Sequence, residues 1–182
     1  MKLSALSLPG LMLVEPTVFG DARGFFMETW HRDKFAAAGL DVPFVQDNHS
    51  MSRRGALRGM HYQITRPQGK LVRVVAGEIF DAVVDLRRDS PAFGRWEGTV
   101  LSAENKRQLW VPPGFAHGFY VMSESAEVVY KCTELYDPGA ERALRWDDPE
   151  VGIEWPIPPG ETPLLSAKDA VASRLAEAAT FR

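Results

Sequence analysis

Apolar and polar residues alternate in short runs along most of the chain, and this pattern predicts many short β-strands. Val and Leu alternate with polar residues through 71–101, where turn residues at Gly77–Glu78 and Ser90–Pro91 delimit three predicted strands. The stretch 57–70 before them predicts a strand, a turn and a strand. Residues 109–122 predict a strand, a tight Pro-Pro-Gly turn and another strand.

The two ends of the chain add strands and helices to this pattern. Residues 3–8 and 11–14 predict two edge strands separated by Pro9–Gly10. His31–Ala38 predicts a short helix that ends at Gly39. Residues 166–179 predict a longer C-terminal helix with Ser166 as its N-cap.

One further strand is predicted within 126–138, where the period of two places Tyr130, Cys132 and Glu134 on one face. Many short strands without βαβ alternation predict an all-β barrel or sandwich with a few short helices and a C-terminal helix. A length of 182 residues, 45% apolar and 25% charged, fits a single domain over 1–182.

Charge and cysteine content narrow the function classes. A net charge of -3 gives no overall field for nucleic acid, so an anionic ligand requires a local cluster of Arg and Lys. Cys132 is the single cysteine, which excludes an intrachain disulfide and a thiolate zinc site and indicates a reducing compartment. The Leu-rich start is interrupted by Pro9–Gly10, so we expect neither a signal peptide nor a membrane span.

Two stretches carry candidate chemistry. In 57–70, Arg58 offers donors for phosphate, His61 is of the residue type most often used as a general base, and Lys70 can stabilise the charge of a deprotonated carbon acid. The polar run 46–50 lies in an apolar neighbourhood, so its side chains must be satisfied by each other, by water or by a ligand.

The run P-x-G-x-x-H, formed by Pro112, Gly114 and His117, resembles the second signature of the cupin superfamily, whose fold is a double-stranded β-helix or jelly-roll barrel. Gly55 followed by His61 resembles the first signature. Metal-binding cupins carry a second histidine and an acidic residue there, because a divalent ion needs three or four converging ligands. Gln63 and Pro67 or Gln68 stand in those places, so we expect no metal.

A closer resemblance covers residues 19–170. Taken in order, GDARGFFMET, FVQDNHSMS, LRGMHYQ, QGKLVRVVAGEIFDAVVDLR, SPAFGRW, PPGFAHGF, VVYKCTELY and LLSAKD resemble the dTDP-4-dehydrorhamnose 3,5-epimerase family. The resemblance implies a cytoplasmic, metal-free and cofactor-free cupin isomerase. It also implies a homodimer with exchanged N-terminal strands that acts on dTDP-4-keto-6-deoxyglucose on the way to dTDP-L-rhamnose. Neither nucleic acid nor a membrane is an expected partner.

The matched motifs also imply residue roles. His61 is then the general base, Asp169 its partner, Tyr130 the acid on the opposite face of the sugar, and Lys70 the cation near the C4 oxygen. Arg23 and Glu28 contact the nucleotide bound in the other subunit of the dimer, and Tyr136 places its ring against thymine. The other ligand contacts implied are Gln46, Asn48, Arg58, His117, Glu141 and Lys168.

Each role has a structural alternative. Ser166-x-x-Asp169 is also a helix N-terminal signature. In that alternative, Asp169 only interacts favourably with the helix dipole, which is worth about 0.3–1 kcal/mol. Tyr130 is alternatively a core tyrosine whose hydroxyl bonds a backbone carbonyl, and Lys70 and Arg58 are alternatively solvated edge-strand charges. The functional alternatives are a 3-epimerase or ketoisomerase of the same fold, a metal-dependent cupin oxygenase, and a non-catalytic sugar-nucleotide-binding module.

Overall fold

The protein, described over residues 1–182 by a computed structural model, consists mainly of two antiparallel β-sheets that face each other. The strands are β1 Lys2–Ala5, β2 Met12–Glu15, β3 Val18–Asp21, β4 Gly24–Met27, β5 Gln46–Arg53, β6 Leu57–Gln63, β7 Lys70–Ala76, β8 Glu78–Asp85, β9 Trp96–Ser102, β10 Gln108–Val111, β11 Phe115–Val121, β12 Ser125–Cys132 and β13 Glu141–Ala143. The larger sheet has the order β1-β2-β10-β7-β12-β5 and the smaller one β13-β6-β11-β8-β9, while β3 and β4 form a separate hairpin.

Helices are few and short: α1 Arg32–Ala37, α2 Ala167–Ala170 and a single 3-10 turn at Leu175–Glu177. None of them is long and apolar enough to cross a membrane. The predicted all-β jelly-roll barrel of the cupin type is therefore confirmed, as is the short helix that ends at Gly39, whose φ is +89°.

The main core fills the space between the sheets with alternate residues of the strands. Val72 and Val128 of the large sheet pack in one buried cluster with Val83 and Phe119 of the small sheet. A second cluster covers the outer face of the small sheet with the C-terminal segment, and a third packs α1 on the outer face of the large sheet. Burying these apolar faces is the dominant favourable term in forming the barrel.

Strands β6 and β11 approach each other closely beside the candidate site. A Cβ on Gly59, whose φ is +132°, would lie 2.5 Å from the Cα of Gly118. A Cβ on Gly118 would in turn lie 2.7 Å from the carbonyl oxygen of Arg58. Only glycine fits at both positions, and the pair allows His61 and His117 to lie opposite each other in the register.

Three predictions from the sequence were wrong. The C-terminal helix spans only Ala167–Ala170, because the chain then leaves the helix to bury Leu175 and Ala178 against the small sheet. Strand β2 is not an edge strand, since it pairs with β1 on one side and β10 on the other. Glu134 does not share the face of Tyr130, because β12 ends at Cys132 and Glu134 turns to Arg66.

Candidate active site

A polar cavity of about 280 Å³ opens between the two sheets. Strand β6 of the small sheet supplies one wall, β5, β7 and β12 of the large sheet supply the other, and the segment from Tyr136 to Glu141 borders the opening. Seven residues predicted from the sequence to act at the site lie on its walls. These are Gln46, Asn48, His61, Lys70, Tyr130, Tyr136 and Glu141.

His61 and Asp169 form a hydrogen-bonded pair although 108 residues separate them. Nε2 of His61 lies 2.5 Å from Oδ1 of Asp169, whose side chain is 3% exposed. The Oγ of Ser166 accepts a hydrogen bond from the Asp169 backbone N–H at 3.1 Å and thereby fixes this turn. The two predictions for Ser166-x-x-Asp169 are therefore compatible, since Ser166 caps the helix while the Asp169 carboxylate contacts the imidazole.

Electrostatics favour the ionised form of Asp169. Burial on its own would raise the pKa of Asp169, but the hydrogen bond and the charge of His61, followed by the bond from Ser166, lower that pKa below its ordinary value. At neutral pH Asp169 is thus a carboxylate beside the His61 ring. A carboxylate so placed orients the ring and stabilises its protonated form.

Tyr130 and Lys70 lie on the wall opposite His61. Both belong to the large sheet, where Tyr130 pairs with Val72 and Lys70 pairs with Cys132 in the β7–β12 register. Burial is the main cause that raises the pKa of Tyr130, so the phenol carries its proton at neutral pH. Burial also lowers the pKa of Lys70, against the opposing influence of Cys132, Asp81 and Glu141.

The polar run of β5 is satisfied largely by its neighbours. Gln46 Nε2 donates to Asn48 Oδ1 at 3.0 Å, and Asn48 Nδ2 donates to the Cys132 sulfur at 3.5 Å. The Tyr136 N–H donates to Gln46 Oε1 at 2.8 Å. Gln46 and Asn48 thus face the cavity already oriented, held by one bond to each other and by bonds to Tyr136 and Cys132.

A second polar chain borders the opening. Tyr136 OH donates to Glu141 Oε2 at 2.9 Å, and Lys168 Nζ donates to Glu141 Oε1 at 2.7 Å. Burial would raise the pKa of Glu141, but the bonds from Lys168 and Tyr136 hold it below its ordinary value. Tyr136 as a whole is 51% exposed, which leaves its side chain accessible to a ligand.

Arg58 and His117 are close to the cavity without being part of its walls. Arg58 is exposed, its Nε donates to Ser52 Oγ at 2.8 Å, and its charge lies near enough to oppose the rise in the Tyr130 pKa. His117 is buried, with Nε2 at 3.0 and 2.9 Å from the two carboxylate oxygens of Asp81. A ligand contact by His117 stays a prediction.

Arg23 and Glu28 lie outside this cavity. Arg23 NH2 pairs with Asp21 at 2.6 Å in the turn of the β3–β4 hairpin, and Glu28 pairs with Lys34 at 2.8 Å. Within one chain the structure therefore does not bring them to the other predicted residues.

Sequence reasoning missed three residues at or behind the site. Gln63 and Gln68 line the cavity, although they were expected only to stand where metal-binding cupins have ligands. Asp81 is fully buried beneath His117. A carboxylate within the apolar run Ile79–Asp85 was the available signal, because a buried charge needs a partner.

The structure contains no group of three or more His, Cys, Asp or Glu side chains arranged to hold a metal ion. At the place of the second cupin histidine, the amide of Gln63 is instead bonded to backbone atoms of Arg66, Leu135 and Asp137. These side chains do not fit a metal centre of the cupin type.

Comparisons with known proteins agree with this geometry. A family model described as dTDP-4-dehydrorhamnose 3,5-epimerase matches residues 5–177. The dTDP-4-dehydrorhamnose 3,5-epimerase of Pseudomonas aeruginosa is 56% identical over 182 residues, covering 100% of this chain and 99% of that protein.

Two solved structures are also similar. The dTDP-6-deoxy-D-glucose-3,5-epimerase from Legionella pneumophila, in complex with dTDP-4-keto-L-rhamnose, is 48% identical with a TM-score of 0.93, covering 97% of this chain and 93% of that one. A 3'-monoepimerase from Streptomyces bikiniensis, in complex with dTDP-quinovose, is 39% identical with a TM-score of 0.88. The match covers 94% of this chain and 86% of that one. The chain therefore belongs to the dTDP-4-dehydrorhamnose 3,5-epimerase family.

Proposed function

We propose that the protein inverts C3 and C5 of dTDP-4-dehydro-6-deoxy-D-glucose to give dTDP-4-dehydro-L-rhamnose, in dTDP-L-rhamnose biosynthesis. The family match and the relatives' activity support this substrate. The observation that carries the proposal is the position of two proton-transfer groups on opposite walls of one cavity. His61 with Asp169 occupies the small sheet's side, and Tyr130 occupies the large sheet's side.

The chemistry requires groups of these types. The C3 and C5 hydrogens are both alpha to the C4 carbonyl, so loss of either proton gives an enolate on the same oxygen. Lys70 stabilises that oxyanion in both steps, and its partial removal from water strengthens the interaction. One oxyanion stabiliser therefore serves both inversions.

Inversion at carbon needs proton loss from one face and proton return on the other. His61 removes the proton, and its Nε2 bond to Asp169 leaves Nδ1 as the nitrogen that accepts it. Asp169 stabilises the imidazolium that results. Tyr130, protonated at neutral pH because burial raises its pKa, returns a proton from the opposite face.

The nucleotide portion of the substrate supplies binding energy away from the reacting carbons. Tyr136 places its half-exposed ring against thymine, and Glu141 and Lys168 border the same side. Gln46, Asn48, Arg58 and His117 hold the sugar and diphosphate. These contacts fix the ring between base and acid, which is how remote binding energy accelerates the chemical step.

The active form is a homodimer with exchanged N-terminal strands. Strands β1 and β2 pair within their own chain, so the exchanged element is the β3–β4 hairpin, which forms a separate two-stranded sheet. Its residues Phe19, Phe25 and Phe26 are 62, 59 and 70% exposed, a large apolar surface for a solvated hairpin. The hairpin then carries Arg23 and, just beyond it, Glu28 to the partner's cavity.

Sedimentation velocity of the wild-type protein tests the dimer, and a monomer at micromolar concentration contradicts it.

The 182 residues form one domain, because the C-terminal segment completes the cluster on the small sheet and supplies Asp169 to His61. We place this domain in the cytoplasm, in keeping with the single free, buried Cys132.

Product analysis tests the function. Incubation with dTDP-4-dehydro-6-deoxy-D-glucose, followed by proton NMR of the product, should show inversion at both C3 and C5. Inversion at C3 alone would favour the second candidate, a 3-epimerase, which the 39%-identical monoepimerase makes the nearest alternative. Nucleotide binding with unchanged sugar would identify a non-catalytic binding module.

A further inference from the structure

The segment that carries Tyr136 is held in place by polar side chains of the barrel more than by packing. Leu135 and Tyr136 are 48 and 51% exposed, so burial contributes little to fixing them. Gln46 accepts from the Tyr136 N–H, and Gln68 Nε2 donates to the Glu134 carbonyl at 2.8 Å. A third glutamine, Gln63, makes three hydrogen bonds through its side-chain amide, two of them to this segment.

Gln63 is buried, with 3% of its surface exposed, at the end of β6. Its Nε2 donates to the carbonyl of Arg66 at 2.9 Å and to that of Leu135 at 3.3 Å. Its Oε1 accepts from the N–H of Asp137 at 2.8 Å. One side chain therefore bonds the residue before Tyr136 and the residue after it.

Few side chains could make these three bonds. A neutral histidine, as metal-binding cupins have here, offers one donor and one acceptor, and a carboxylate offers no donor for the two carbonyls. An apolar residue of the same length would leave three partly buried backbone groups without this partner, which destabilises the arrangement.

We propose that Gln63 is a positioning residue for nucleotide recognition, which fixes the backbone on both sides of Tyr136 so that its ring is held ready for the base. The inference rests on the proposed function, because it takes Tyr136 as the thymine contact. Gln63 stands where metal-binding cupins have a histidine ligand, and in this proposal it supports nucleotide binding and not proton transfer.

The test is a double-mutant cycle on dTDP affinity, measured by calorimetry. Base stacking on an aromatic side chain is worth roughly 5- to 150-fold in affinity, so Tyr136→Ala should weaken dTDP binding within that range. Gln63→Met should weaken it about tenfold through disorder of the same ring, with kcat at saturating substrate within about threefold of wild type. On the Tyr136→Ala background, Gln63→Met should add less than about twofold.

The matched cycle pairs Gln63→Met with Arg58→Met. The hydrogen bonds of Arg58 go to Ser52 and Met51 and none goes to the 133–137 segment, so the two losses should multiply. If Gln63→Met costs the full tenfold in dTDP affinity on the Tyr136→Ala background as well as on the Arg58→Met background, the proposal is overturned and Gln63 is a general structural residue. Unchanged dTDP affinity of Gln63→Met would overturn it as well.

A measurement on the wild type covers the case in which Gln63→Met does not fold. The Asp137 amide should be protected from hydrogen exchange, because its acceptor is buried. Exchange at the rate of an unprotected loop amide would contradict the proposal. A wild-type protein that binds dTDP and turns substrate over, yet gives the contradicting cycle, would refute this inference alone. A wild type that does not bind dTDP would refute the proposed function with it.

Discussion

Replacing Asp169 by Asn removes one charge from the site and changes little else. The amide has nearly the shape of the carboxylate, and Ser166 still accepts from the backbone N–H of residue 169. The change removes the negative charge of the Asp169 carboxylate, whose Oδ1 lies 2.5 Å from Nε2 of His61. The amide can also present its NH2 group to the ring and favour the wrong tautomer.

The expected magnitude follows from the geometry. Two unit charges about 4 Å apart attract by ~4 kcal/mol where the effective dielectric constant is about 20. Because the His61 side chain is 27% exposed, solvent screens part of this interaction. A loss of roughly 3–4 kcal/mol in transition-state stabilisation corresponds to about 10²- to 10³-fold in kcat. If Asp169 served only the helix dipole, the change would be below about 1 kcal/mol of stability, with no effect on chemistry.

The assay compares kcat, dTDP affinity and melting temperature of Asp169→Asn with those of Asp148→Asn. Asp148 is a matched control, since it is 2% exposed and accepts from the N–H groups of Glu150 and Leu175 at 2.8 and 2.7 Å. Asp148→Asn should lower stability by about 1–3 kcal/mol and leave kcat unchanged. An Asp169→Asn enzyme with kcat within tenfold of wild type would refute the role of the pair.

Three further predictions concern other parts of the site. His61→Ala should abolish epimerisation but keep dTDP affinity within a few-fold, and comparable losses of both would make His61 a binding or structural residue. Lys70→Met should be inactive yet more stable at neutral pH, because the lowered pKa of Lys70 means that folding penalises its charged form. This gain should shrink as pH rises towards about 10.4, the unfolded pKa, and a gain that grows with pH would contradict it. EDTA-treated enzyme should keep its rate, since the amide of Gln63 is already bonded to the backbone, and recovery of lost activity with a divalent ion would count against this.

Local patterns predicted the parts of the fold that local forces decide. Alternation along β12 placed Tyr130 and Cys132 towards the interior, and the Pro-Pro-Gly turn before β11 was found where Gly114 has a φ of +97°. The helix predicted over 166–179 had suitable residues, but burial of Leu175 and Ala178 against the small sheet outweighed that propensity.

The site depended on contacts that local sequence does not encode. His61 and Asp169 are 108 residues apart, so their pairing came only from the family's motifs. Asp81 was missed because its partner His117 lies on another strand, 36 residues away. Gln63 was missed because a residue type that excludes a metal says nothing about which backbone groups its amide will bind.

The central claim is that two groups act from opposite faces of the sugar, and Tyr130→Phe tests it most directly. This change removes the proton donor and retains the ring, so abstraction by His61 should continue. With dTDP-4-dehydro-6-deoxy-D-glucose in D2O, NMR should show deuterium entering C3 or C5 with the starting configuration largely retained. Inversion should fall by about 10²-fold or more, the lower end of what a positioned acid contributes. Inversion at close to the wild-type rate, or joint loss of exchange and inversion while dTDP still binds, would contradict the two-face mechanism.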